Sequence, residues 1–233
     1  LPDFLDKSKQ VIERVQELSI EDLQKLSQVN RSIAQTNHDR FYNWQTPFTP
    51  ENAKQAILTF NGEVYNGLQA KTLNMDDFNY LQDHLRILSG LYGVLRPLDL
   101  MQPYRLEIGS GLNVGKAKNL YNFWGNLITE KLNEALEESG EPKVLVNLAS
   151  GEYFKSVNTK LLKAKVIDVE FYETKDDGSL KTIVVYTKKA RGMMARYIIQ
   201  NRIEDPEDLK GFDAEGYWFS PQLSNEQKLV FMR

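Results

Sequence analysis

At Lys143 the spacing of apolar residues changes. Upstream they recur every three or four positions, as on one face of a helix. From Val144 onward, VLVNLA is a short continuous apolar run and VIDVEFYE alternates. A chain that moves from the helical period to a period of two has to bury helices against a sheet. The expected class is therefore α/β of the mixed α+β kind, with a helical N-terminal part around a mixed sheet. At 233 residues and 41% hydrophobic, the chain can bury a sizeable core. It shows no repeat, low-complexity tract or linker, so one domain over 1–233 is expected.

Leu5, Ile12, Val15 and Leu18 mark a first helix, Ser19 with Glu21 and Asp22 caps a second, and a third is expected through Ile33 to Tyr42. NWQTPFTPENAKQAILTF breaks at two prolines. It restarts with Thr49 as N-cap and Pro50 at the first helical position, predicting a helix with Ala53, Ala56, Ile57 and Phe60 on one face and Asn61-Gly62 at its end. Further helices are expected over 76–88 and 119–138, the second with Leu120, Phe123, Trp124, Leu127, Ile128, Leu132 and Leu136 on its apolar side. Asp177-Gly178 predicts a hairpin from VIDVEFYE to a strand LKTIVVYT, followed by a helix over 189–200. A short helix opens at Pro206, and YWFS and KLVFM read as strands.

Several chemistries lack their residues. With no cysteine, disulfides, thiolate metal sites and cysteine nucleophiles are excluded, and a reducing, cytoplasmic setting is expected. No apolar run is long enough to span a bilayer, so no membrane partner is expected. His38 and His84 lie on separate predicted helices without zinc-ligand spacing, and neither a metal nor a cofactor is expected. The Gly109, Gly111 and Gly115 loop ends in Lys116 but lacks phosphate-loop spacing and reads as a connection. Net charge is −3, so a polyanion would have to be held by a local basic patch.

Three stretches could carry function. From Lys181 to Ile203 there are six cations, Lys181, Lys188, Lys189, Arg191, Arg196 and Arg202, and no acid. Lys188, Lys189 and Arg191 cluster where the predicted helix begins, beside Gly192, which frees the backbone to bend or to approach a ligand. They either contact phosphates or form a solvated face balanced by the acids of DVEFYETKDD. In NLASGEYFKSV, Ser150, Glu152, Tyr153 and Lys155 follow a strand end, where α/β sheets place ligands; the alternative is a turn capped by Ser150. In SGLYGVLRPLD, Gly90 and Gly93 either expose backbone N–H groups to a phosphate, as in a helix-hairpin-helix element, or form a packing turn. Arg86, Arg96 and Arg105 add positive charge there, with Asp99 placed to orient an arginine.

FTPENAKQAILTFNGEVYNGLQA, HLRILSGLYGVLRPLDLMQPYRLE, NLYNFWGNLITEKLNEAL, NLASGEYFKSV, KKARGMMARYIIQNRI and GFDAEGYWF closely resemble the bacterial YaaA family of peroxide stress proteins. The family opens with a strand and a Ser-Pro-Ala-Lys segment, expected upstream of Leu1. The resemblance implies a cytoplasmic protein that limits iron-driven oxidative damage, an α/β domain of unusual topology, and a positively charged cleft that binds DNA. Cleft candidates carried over are Arg86, Arg96, Arg105, Lys155, Lys188, Lys189, Arg191 and Arg196. The rival reading is an enzyme acting on a nucleotide or nucleobase, a small phosphate-bearing ligand, with Ser150, Glu152, Tyr153 and Asp99 positioning or protonating substrate. A direct iron store lacks the carboxylate and histidine spacing it needs.

Overall fold

The computed structural model describes residues 1–140 and 143–233. The first helix, α1 (Leu5–Gln16), buries Val11, Ile12 and Val15 at helical spacing. A reciprocal cap then starts α2 (Ile20–Ser27): Asp22 N donates to Ser19 Oγ at 3.1 Å, and Ser19 N to Asp22 Oδ2 at 3.2 Å. Asn30 Oδ1 accepts from Ile33 N at 2.9 Å and starts α3 (Arg31–Tyr42).

The proline-broken stretch does not restart as one helix. Asn52 N and Ala53 N donate to Thr49 O, closing a turn; β1 (Lys54–Gln55) and the single-turn α4 (Ala56–Thr59) follow. Ala56 N and Ile57 N donate to Asp99 O and Pro97 O at 2.8 and 3.0 Å, so pairing with a distant segment displaces the helix that Thr49 and Pro50 predicted. Next come α5 (Glu63–Leu68) and α6 (Met75–His84). The helix expected to reach Leu88 stops at His84, because β2 (Ile87–Ser89) pairs antiparallel with β3 (Gly93–Leu95). SGLYG is thus the bend of a β-hairpin and not a link between two helices. The short β4 (Leu100–Met101) is the partner of β1.

The predicted helix over 119–138 is two helices, α7 (Leu120–Trp124) and α8 (Leu127–Ser139), divided at Gly125 with φ +51°. After β5 (Val144–Asn147) and the short α9 (Gly151–Phe154), β6 (Lys165–Thr174) buries Ile167, Val169 and Phe171 in alternation. The hairpin beyond Asp177-Gly178 is brief: β7 (Leu180–Lys181) meets only Glu173 and Thr174. Val184 to Thr187 were expected in that strand and instead open α10 (Val184–Asn201). Thr187, Ala190 and Met194 are buried at helical spacing, which outweighs the strand preference of the valines. The tail supplies β8 (Trp218–Phe219) and β9 (Lys228–Met232), as KLVFM and YWFS predict.

The fold is mixed α/β, in two compact units that alternate along the chain: 1–59, 85–134 and 150–162 form one, and 60–84, 135–149 and 163–233 the other. In the first, Trp124 is fully buried and its Nε1 donates to Gly90 O at 3.0 Å, pinning the β2–β3 hairpin. In the second, a five-stranded sheet runs β5-β6-β9-β8, with β7 on β6. Strands β5 and β9 are parallel to β6, and β8 is antiparallel to β9. Ala190 and Met194 of α10 share a core with Ile167, Val169, Phe171, Phe212, Tyr217 and Phe231. Among the described residues no helix is long and apolar enough to cross a membrane.

Candidate functional site

Most of the expected polar residues of the first unit hold turns. Ser150 Oγ accepts from Tyr153 N at 3.4 Å and caps α9. Glu152 Oε1 accepts from Gly109 N at 3.0 Å, and its carbonyl accepts from Tyr121 OH at 2.9 Å. A Cβ at Gly109 would stand 2.7 Å from that carboxylate oxygen, so the glycine lets the loop close on α9. Tyr153 is half-buried. Asp99 is 2% exposed and accepts from Arg96 N at 2.8 Å and from the Arg96 guanidinium at 3.3 Å.

The cations there divide by partner. Arg96 meets Asp99, and Arg105 pairs with Glu107 at 2.8 Å. Arg86 donates to Leu85 O at 2.8 Å and immediately precedes β2, whose first residue Ile87 pairs with Leu95. Gly90 and Gly93 are buried. A side chain on Gly90 would overlap the Leu106 carbonyl, and one on Gly93, at φ +73°, would stand 2.9 Å from the Trp124 ring. The close approaches these glycines permit are internal, as in a packing turn. Lys155 differs: its Nζ lies 5.1 Å from the Tyr121 ring centroid, and no acid pairs with it among the described residues.

In the second unit Lys188, Lys189, Arg191 and Arg196 share α10 but not surroundings. Lys189 pairs with Glu215. Arg196 donates to Leu68 O at 3.0 Å, Gln69 O at 3.2 Å and Thr72 Oγ1 at 2.8 Å, covering the carbonyls left open at the end of α5. Gly192 approaches α5: a Cβ there would overlap Val64 O and stand 2.8 Å from Leu68 N. Lys188 is exposed, and no acid pairs with it among the described residues.

Arg191 is half-buried, and its Nε is shut off from solvent with no hydrogen-bond partner among the described residues. Burial draws its pKa down, against the opposing charge of Glu170. That carboxylate already receives Tyr172 OH at 2.9 Å and the Lys228 ammonium at 3.6 Å. Lys188 and Arg191 are three apart and share a helix face. A half-buried guanidinium with no ion pair among the described residues, its nearest countercharge Glu170 already engaged by Tyr172 and Lys228, can take an anion from outside.

A family model described as peroxide stress protein YaaA matches residues 1–223. This chain belongs to the YaaA family. Membership supports a role in the oxidative-stress response. In this YaaA protein, the run KKARGMMARYIIQNRI lies on α10 and the turn after it, and holds both the cap Arg196 and the unpaired Arg191. SGLYGVLRPLD holds the hairpin that Trp124 secures.

One surface of the YaaA chain escaped sequence reasoning. A cavity of about 380 Å³ in the first unit is lined by Tyr121, Asn126, Lys155, Asn158, Thr159 and Lys160, among others. Lys155 was a candidate, whereas Lys160 and Asn126 were not. The available signal was two lysines five apart around the turn formers Asn158-Thr159.

Proposed function

We propose that this YaaA protein binds DNA through its phosphate backbone, with Lys188 and Arg191 on α10 as principal contacts. The observation that carries the reading is the Arg191 guanidinium, half-buried, with no hydrogen bond at Nε and no ion pair among the described residues, and with Glu170, the one charge that acts on it, shared with Tyr172 and Lys228. A backbone phosphate supplies the missing acceptors and charge. With a net charge of −3, long-range attraction is weak, so the grip is local and the readout of bases small. Arg96, Arg105 and Lys189 are neutralised by carboxylates and Arg196 is committed to α5, so all four leave the contact set. Ser150, Glu152 and Asp99 are engaged in turns, which favours binding over catalysis. Occupied DNA is shielded from iron-driven peroxide chemistry, the protective role that the family resemblance implies.

The test is titration of the chain with unrelated duplexes at several salt concentrations. Affinity is expected to fall steeply with salt. The K188A/R191A variant should bind every duplex more weakly and flatten the log–log salt slope by about 2. Binding indifferent to salt, or a variant with an unchanged slope, removes the reading.

A further inference from the structure

We propose that the first unit carries a separate site for a nucleoside monophosphate, between Tyr121, Asn126 and the 155–160 turn. It goes beyond the DNA reading, and neither Lys188 nor Arg191 takes part. The cavity, about 380 Å³, lies in the size range of small-molecule sites, roughly 300–1,000 Å³. It is too small for a duplex.

Its chemistry selects an anion. The chain has 32 acids against 29 bases, yet this concavity is lined by two lysines and no carboxylate. Neither lysine has an ion pair among the described residues: Lys160 is exposed, and the Lys155 ammonium lies over the Tyr121 ring. The one nearby acid on α9, Glu152, turns its carboxylate to Gly109 N. Two ammonium groups match the double charge of a phosphomonoester better than the single charge of an internal diester.

The walls are braced before any ligand arrives. Asn158 N donates to the buried Thr129 Oγ1 at 2.8 Å, and Asn158 Nδ2 to Asn126 Oδ1 at 3.2 Å. Lys160 N donates to Asn158 Oδ1 at 3.2 Å, fixing the turn that carries the lysine. Tyr121 is tethered through its hydroxyl to Glu152 O at 2.9 Å, which holds the ring as a wall of the cavity. An aromatic wall beside a cationic floor suits a nucleotide whose phosphate draws the Lys155 ammonium off the Tyr121 ring toward Lys160, freeing the ring face for the base. A site whose frame is already bonded loses little freedom on binding.

The experiment is calorimetric titration of the full chain, without DNA, with dAMP, deoxyadenosine and inorganic phosphate. Saturable binding of dAMP is expected, with phosphate weaker and deoxyadenosine at least about tenfold weaker. K155Q/K160Q should lose at least about tenfold in dAMP affinity at an unchanged melting temperature, and Lys160→Glu, at an exposed position, should lose as much. K25Q/K54Q removes equal charge from the same unit and should bind like the unaltered chain. The proposal is overturned by absence of dAMP binding at millimolar concentration, by deoxyadenosine binding as tightly as dAMP, or by undiminished affinity in the folded lysine variants. Because no DNA is present, these outcomes leave the backbone-binding reading to its own test.

Discussion

Arg191 and Arg196 lie on one helix in one acid-free run, and the sequence gives them the same appearance. The bonds of Arg196 end on Leu68, Gln69 and Thr72, more than a hundred positions away, which no local pattern reveals. Opposite outcomes follow for the two truncations. Arg196→Ala leaves backbone acceptors unmet and should lower stability by about 1–3 kcal/mol, read by denaturant unfolding, with a minor effect on DNA affinity. Arg191→Ala removes a charge that burial disfavours and should leave stability unchanged or raised while weakening DNA binding. Equal loss of affinity in both variants argues against the division. That Asp99 orients an arginine is legible in the sequence; that the arginine is Arg96, three residues before it around a proline turn, is shown by the structure. The burial of Asp99 is not legible there.

At the scale of elements, α5 and α10 cross backbone against backbone in the second unit. Gly67 and Gly192 face the opposite backbone directly: a Cβ on Gly67 would overlap Lys189 O, and one on Gly192 would overlap Val64 O. Neither obstacle is a side chain that can rotate away. Gly192→Ala is therefore expected to cost about 1–3 kcal/mol or more by overpacking, measured as a fall in the midpoint of urea unfolding. A variant as stable as the unaltered chain means that the helices slide apart at little cost. The alternation of β6 and the cap of α2 could be read from a few neighbouring residues, and both stand. The break at Gly125 could not, because a lone glycine within a helical period is tolerated. The strand expected over Val184 to Thr187 failed for a related reason: valine preference is weak against burial at helical spacing.

For the whole molecule, acid exposes the ionic ties of the second unit. Burial raises the Asp77 carboxyl, but the Asn74 N–H and the Arg202 guanidinium at 2.9 Å together outweigh it and hold the group below the usual carboxylate range. Glu215 is held down chiefly by its hydrogen bond from Lys189, against the opposing effect of burial. A carboxyl with a depressed folded pKa adds stability that is complete above its unfolded value, about 4, and lost as pH falls through the folded one. Melting temperature should hold to about pH 5 and decline below it. Arg202→Leu, by releasing Asp77 upward, should lower the melting temperature at neutral pH and make the decline below about pH 5 shallower. A melting curve insensitive to acid in the unaltered chain contradicts this account.

The alternation of the two units along the chain has a consequence for synthesis. A ribosome releases the last segment of the first unit only with residues 150–162, and β6 and β9 of the second come later still. Nascent helices from the first third must wait for partners, so chaperone demand should peak mid-translation and ease only once the final strands emerge.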